Sequence, residues 1–499
     1  MFMDFDHNEK RRRQFIKVVI AELGMVIAVI AIVIVATLAS MGFFVNSEWT
    51  IEQSGLLQLH SLPTGASVEV DGEVLFFRTN LSRTMAEGKH ALKLTREGYD
   101  SWQKVINMRP GMLLRIYYPR LFLQDRTMTE VAKLGKELGF YATSRDRTAI
   151  LYAEPKATTW NLVDIKGDEI RTTKLDLAKI LPAVQEGKFE GKVAELKWSN
   201  NSDRVLAKIT QAEKTSWVMI DLKDVKASLN LTELFGMEFQ QIELVNGSMG
   251  QLFALRDRQL YRIDVADRKM SGVLLSNVEK FASRGPNLIY LTKVQGEDNR
   301  PAVQKIGIYK DGEKGGTVLA TVPGDTAVQI ALTNYYDQDY VAYALNDRLT
   351  IYVGNLPTYS DHEEAEVTSL ELLLDQAPLA AWPEALTVSP GGQYLVALKG
   401  QQYMVVDVDT GELFEYEAPR AKLAWFDESM MYAVSSRKLE VWDFDFTNRR
   451  TLIEFEDEEH DQKQELLDLP VVVASNERWL YYVARSGDVL TMMRERIRD

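Results

Sequence analysis

Residues 385–407 read ALTVSPGGQYLVALKGQQYMVVD. Ala385–Val388 is a short apolar run, Ser389-Pro390-Gly391-Gly392 is turn chemistry, and Gln393–Leu398 is a second apolar run. After another polar turn a third run closes on Val406-Asp407. Gly and Pro punctuate the chain, while β-branched and aromatic residues fill the runs between them, which predicts antiparallel strands joined by tight turns. The same unit recurs on both sides. Its apolar second strand is legible at Thr148–Ala153, Arg204–Ile209, Gln251–Leu255, Asn287–Thr292, Tyr340–Leu345, Gln393–Leu398, Met430–Val434 and Trp479–Ala484. The third strand ends in a matching Asp at Val163-Asp164, Ile220-Asp221, Ile263-Asp264, Val406-Asp407 and Trp442-Asp443.

No such unit could bury both of its faces alone, whereas a ring of four-stranded sheets lets each cover its neighbours. The expected fold of residues 127–499 is therefore a seven- or eight-bladed β-propeller, with eight preferred because eight second strands are visible. The last unit runs out after Val489–Met493, without room for an outer strand. Thr127–Leu134 is free to supply one, and that exchange would close the ring and remove its exposed edge.

The Ser389-Pro390-Gly391-Gly392 turn resembles the Ser-Pro-Asp-Gly hairpin of propellers in the TolB and WD40-like class. Trp198-Ser199-Asn200-Asn201, Phe426-Asp427-Glu428 and Ser475-Asn476-Glu477 hold the same place in degraded form. The resemblance implies a fold and says little about a ligand.

Toward the N-terminus, Leu23–Val45 contains no charged residue and as a helix would be roughly 34 Å long, enough to cross a bilayer. Lys10, Arg11, Arg12, Arg13 and Lys17 precede it, while Asn46–Ser54 contains only Glu48 and Glu52 as charges. The positive-inside rule then predicts a cytoplasmic tail over 1–17, a single-pass membrane helix over 18–45 and extracytoplasmic domains beyond. A cleaved signal peptide ending near Thr37 and Ala39 is the alternative, but a secretory apolar region is shorter, about 7–15 residues. Glu22 can reach the interface or Lys17. Gly24 and Ala28 form a small-xxx-small pair of the kind that lets two such helices associate.

Between helix and propeller, residues 55–121 alternate in short runs. Ala66, Val68 and Val70 share one face and Ser67 and Glu69 the other, and Asp71-Gly72 supplies a hairpin turn. His90, Leu92 and Leu94 alternate with Lys89, Ala91 and Lys93. The run from Ser61 through Pro63, Gly65, Ala66 and Val68 to Asp71-Gly72, followed by Gly88-Lys89-His90 and Glu97-Gly98-Tyr99, resembles the PEGA domain. This small β-sandwich of prokaryotic surface and envelope proteins implies location more than chemistry. The chain departs from it at Arg78-Thr79-Asn80, where the family often carries Thr-Pro.

Motifs that carry chemistry are few. The absence of cysteine removes disulfides, thiolate metal sites and cysteine nucleophiles. His7, His60, His90, His362 and His460 are scattered without ligand spacing, and His90 reads as a packed histidine on an apolar face. No GxSxG, P-loop or GxGxxG run occurs. Asp407-Val408-Asp409-Thr410-Gly411-Glu412 lacks the third oxygen ligand and twelfth-position Glu of a calcium loop and reads as a turn between strands. Glu456–Asp461 and Tyr359–Glu366 read as solvated acidic loops. A net charge of −14 disfavours nucleic acid and anionic lipid as partners.

No catalytic, cofactor or metal residue is thus assigned. The expectation is a non-enzymatic, membrane-anchored extracytoplasmic protein whose propeller loops bind an envelope protein or a cell-surface glycan. An envelope enzyme hydrolysing glycan or peptide in the propeller funnel is the alternative, resting on the plentiful acids. A sensor is disfavoured by the short tail.

Overall fold

The computed structural model describes residues 5–40, 43–45, 51–182, 184–296, 301–359, 369–379, 382–417, 423–455 and 464–499. The chain divides into two compact units, Met1–Asp125 and Arg126–Asp499.

The first unit opens with the helix Phe5–Ser40. Its described apolar side chains are exposed, Ile20 at 64% and Met25 at 69% among them. Among the described residues no helix is long and apolar enough to cross a membrane. The helix differs at both ends from the expected 18–45 segment. It begins within the expected tail, and it stops at Ser40, because Phe43–Val45 forms a strand paired with Ile51–Gln53. The cause is local: an aromatic pair followed by a β-branched residue favours extended backbone.

Two four-stranded sheets follow. Ile51–Leu59 is flanked by Phe43–Val45 and Leu81–Ala86 and pairs in parallel with Leu113–Ile116. The second sheet runs in the order Glu73–Arg78, Ser67–Val70, Gly88–Thr95, Trp102–Met108. Leu57, Leu59 and Ile116 from the first sheet and Val68, Leu92, Leu94 and Trp102 from the second share one core. Burying each such side chain contributes roughly 1.5–3 kcal/mol. Asp71 and Gly72 both take positive φ, 52° and 87°, as the two-residue turn between antiparallel strands requires. Thr79, in the departing loop, is buried and anchors it, exchanging a hydrogen bond with Ser61 (2.6 Å) and accepting one from Ala66 N (3.0 Å).

The second unit is all-β and propeller-like. Among its described residues stand eight antiparallel sheets of four or five strands, arranged in chain order. Every expected second strand is present, from Ala149–Ala153 in the first sheet to Trp479–Ser486 in the eighth. Ala149–Ala153 is buried at all five positions, so both of its faces are covered and the run is uniformly apolar. The outer strand Arg171–Asp176 buries only Leu175 and reads as polar. Cores form between consecutive sheets: Leu151 and Trp160 of the first pack with Val205 and Val218 of the second, and Leu206 and Trp217 of the second with Leu252 and Ile263 of the third.

The eighth sheet is completed by the first strand of the unit. Met128–Gly135 pairs antiparallel with Val489–Arg496, in register from Glu495↔Met128 to Leu490↔Gly135. Leu134 enters a core with Tyr141 and Ile150 of the first sheet and Tyr481, Val483, Leu490 and Met492 of the eighth. Ring closure is therefore both a strand ladder and a packed interface. Arg126 fixes the start of this strand, donating to Leu452 O at 2.8 Å and pairing with Glu495 at 3.3 Å.

Candidate binding surface

The first hairpin turn of each sheet lies at one end of the ring, and serine caps three of them. Ser144, Ser199 and Ser389 each donate a backbone N–H to the carbonyl five residues on, and each hydroxyl accepts the N–H of that residue: Ala149, Arg204 and Tyr394. In the seventh sheet Asp427 substitutes, its carboxylate accepting from Met430 N at 2.8 Å. Thus the Ser-Pro-Gly-Gly signature is a turn whose side chain satisfies a backbone donor. Neighbouring turns also bond to one another. Asn200 N donates to Gly247 O, Asn246 N to Gly285 O and Ser475 N to Arg147 O, each at 2.9 Å, and the Thr333 hydroxyl reaches Gly392 O at 3.0 Å. Burial opposes the charge of Asp146, yet hydrogen bonds from Ser202, Ser144 and Thr148 hold its carboxyl below the usual range. These bonds engage several polar groups of this end within the ring.

The first strands of consecutive sheets lie beside one another, and long polar side chains lace them. Lys197 donates to Ile242 O (2.7 Å), Gln241 to Phe281 O (3.0 Å), Lys280 to Val328 O (2.5 Å) and Gln329 to Glu384 O (2.9 Å). Each belongs to one sheet and satisfies a carbonyl at the start of the next. Glu243 and Glu195 both bind the Lys197 ammonium, at 2.6 and 3.2 Å, so these acids are engaged in an ion pair. Burial pushes the Lys280 ammonium below its ordinary range. The belt couples sheets mechanically.

At the opposite end of the sixth sheet lies a cavity of about 250 Å³. It is formed where the turn after Tyr394–Lys399 meets the end of Leu413–Glu417 and the segment entering Ala385–Val388, and Tyr403, Met404, Tyr416 and Leu379 give it an apolar lining. Lys399, Glu415 and Glu417 stand among them. The Lys399 ammonium sits 5.5 Å from the centre of the Trp382 ring, which is 39% exposed. Tyr403 accepts a hydrogen bond from Leu423 N at 2.9 Å, which leaves its own O–H to donate, and burial raises its phenol. Tyr416 stacks on Phe446 of the seventh sheet at 4.2 Å. The volume lies below the roughly 300–1,000 Å³ of small-molecule sites.

Among the described residues, those singled out in the sequence each have their own local setting. His60 stacks on Tyr117 at 4.2 Å. His90 is not simply packed: its Nδ1 meets the Asp71 carboxylate at 2.7 Å and its Nε2 the Ala86 carbonyl at 2.9 Å, because the hairpin turn folds over the neighbouring strand. Burial works against its charge, yet Asp71 and Ala86 raise its pKa. Asp407–Glu412 is a strand-to-strand turn: Asp407 accepts from Asp409 N at 3.0 Å, and burial pushes its carboxyl up to about 6. Among the described residues no three His, Cys, Asp or Glu side chains gather as a metal site. His362, His460, the run Glu456–Asp461 and most of Tyr359–Glu366 lie outside the described residues. The cavity is not legible in the sequence, since Leu379, Tyr403 and Tyr416 belong to separate stretches that only the sheet brings together.

No curated protein matches the chain. Among solved structures, the Dos1 propeller is 10% identical over 74% of this chain and 93% of its own, with a TM-score of 0.41. The Cps50 (Swd1) β-propeller domain of Myceliophteria thermophila is 13% identical over 73% and 99%, with a TM-score of 0.35. An oligogalacturonate lyase of Vibrio parahaemolyticus is 12% identical over 68% and 97%, with a TM-score of 0.39. In the first unit, residues 54–119 match the model of the PEGA domain.

Proposed function

We propose that the chain is a non-enzymatic, single-pass membrane protein whose extracytoplasmic eight-bladed propeller binds an envelope protein or a surface glycan. The observation that carries the reading is the cavity at one end of the sixth sheet, lined by Tyr403 and Tyr416 with Lys399, Glu415 and Glu417 at its walls. Anchoring is supported by the exposed Ile, Val, Leu and Met side chains between Ile20 and Val35 and by the basic residues before them.

The test uses full-length protein in lipid nanodiscs, presented to solubilised envelope proteins and, separately, to isolated wall glycans, with a parallel incubation assayed for released fragments. The expected outcome is retention of a defined partner without fragment release, weakened at least about tenfold by Tyr416→Ala with Trp382→Ala, the scale of losing one interface hot spot. Reproducible glycan cleavage would establish the enzyme reading instead.

A further inference from the structure

The strand Glu73–Arg78 lies at the edge of its sheet. Its register to Ser67–Val70 runs from Glu69↔Val74 to Ser67↔Arg78, so three residues stand opposite Val68 alone. Leu75 turns in and packs on the core, whereas Phe76 and Phe77 are expelled, 93% and 70% exposed, with Val74 at 63%. The two rings touch edge to face at 5.3 Å. Bulges commonly blunt an edge strand against pairing, and charge or proline usually does the same work. Here the bulge presents two aromatic rings to the surroundings, a feature that ordinarily marks a contact surface.

Chain geometry identifies the contact. The helix ends at Ser40 and the module's first strand begins at Phe43, so their ends lie no more than about 11 Å apart along the backbone. A module tethered this closely to an inserted helix rests against the bilayer surface. Charge agrees: residues 54–119 hold eight Lys and Arg against six Asp and Glu, net +2, while residues 120–499 hold 45 against 60, net −15. Arg78, Arg83, Lys89 and Lys93 are exposed. We propose that Phe76 and Phe77 insert into the headgroup–acyl boundary of the bilayer that holds the helix, so that the PEGA-like module is a membrane-seated foot. Aromatic side chains favour that boundary, and basic neighbours add attraction to anionic headgroups. The inference rests on the anchored reading.

The chain has no cysteine, so a single introduced thiol reports one site. Full-length protein with a fluorophore on Ile30→Cys or on Glu73→Cys is placed in vesicles of phosphatidylcholine and phosphatidylglycerol, with quenching by aqueous iodide and by doxyl-labelled lipid. Both labels are expected to be quenched by doxyl lipid. At Glu73→Cys, iodide quenching is expected to rise about threefold when Phe76→Asp and Phe77→Asp are added, and to stay near the parent's with Phe76→Leu and Phe77→Leu. A quenched Ile30 label with a Glu73 label open to iodide would overturn the inference and leave the anchor standing. A Glu73 label shielded from both quenchers would overturn it in favour of a protein cover. An Ile30 label untouched by doxyl lipid would remove both readings.

Discussion

Leu134 is the place to test whether the ring is closed by its first strand. The residue is 1% exposed and packs with Ile150, Tyr481, Leu490 and Met492, partners from both ends of the propeller sequence. Leu134→Ala removes a fully buried isobutyl group from a core between two sheets, and such truncations cost about 2–5 kcal/mol. A loss of about 3 kcal/mol is expected, a large share of the roughly 5–15 kcal/mol that stabilises a domain. It is read as the fall in the urea midpoint of full-length protein, followed by tryptophan fluorescence. Leu490→Ala, also at 1% exposure on the partner strand, is expected to cost a similar amount. The double variant is expected to lose less than the sum by at least about 0.5 kcal/mol, since both side chains fill one space. If Leu134→Ala shifts the midpoint no more than a surface change would, about 0.5 kcal/mol, or if the two losses simply add, the closure is wrong.

The His90–Asp71 pair gives a pH signature. His90 has a raised pKa in the folded module, so its contribution is full below the unfolded value near 6.5 and is lost as pH rises through the folded value. Asp71 is lowered, chiefly by the His90 hydrogen bond, so its contribution is present above about 3.9 and is lost as pH falls through its folded value. Asp71→Asn is expected to lower the His90 titration midpoint followed by NMR, and an unchanged midpoint would show that the pair does not form. Asp407 works in the opposite sense. Its carboxyl is pushed up to about 6, so folding is favoured while it is protonated and loses up to about 3 kcal/mol as pH rises from 4 past 6. Asp407→Asn should flatten the melting temperature across that window, and a profile as steep as the parent's would remove Asp407 as its source.

What the sequence made legible follows from burial. Second strands such as Ala149–Ala153 and Tyr394–Lys399 are covered on both faces, so their apolar runs stand out from the polar turns around them. The closing strand was legible by elimination, because the last unit lacked a partner that Met128–Gly135 could provide. The end of the helix was not, since uncharged Phe43–Val45 satisfies a hydropathy rule whether helical or extended. Nor was the belt of Lys197, Gln241, Lys280 and Gln329 legible, because a long polar residue on a first strand looks solvent-facing until the ring sets the next sheet's carbonyl beside it. His90 and Asp71 are 19 residues apart and meet only through strand pairing.

The strand Met128–Gly135 also fixes an order of events during synthesis. It is the first strand of the propeller to leave the ribosome, yet its partner Val489–Arg496 is the last to be made. At about 5–20 residues per second, the more than 350 residues between them take roughly 18–70 s to appear, and throughout that interval both edges of the growing array stand open. Pairing the two ends is the most non-local contact the propeller makes, and contacts of that kind slow folding. Until Val489–Arg496 emerges the molecule is an unfinished arc, vulnerable to proteases and to other unfinished arcs, so a nascent chain stalled before that strand should be handled by the cell as an unfolded one.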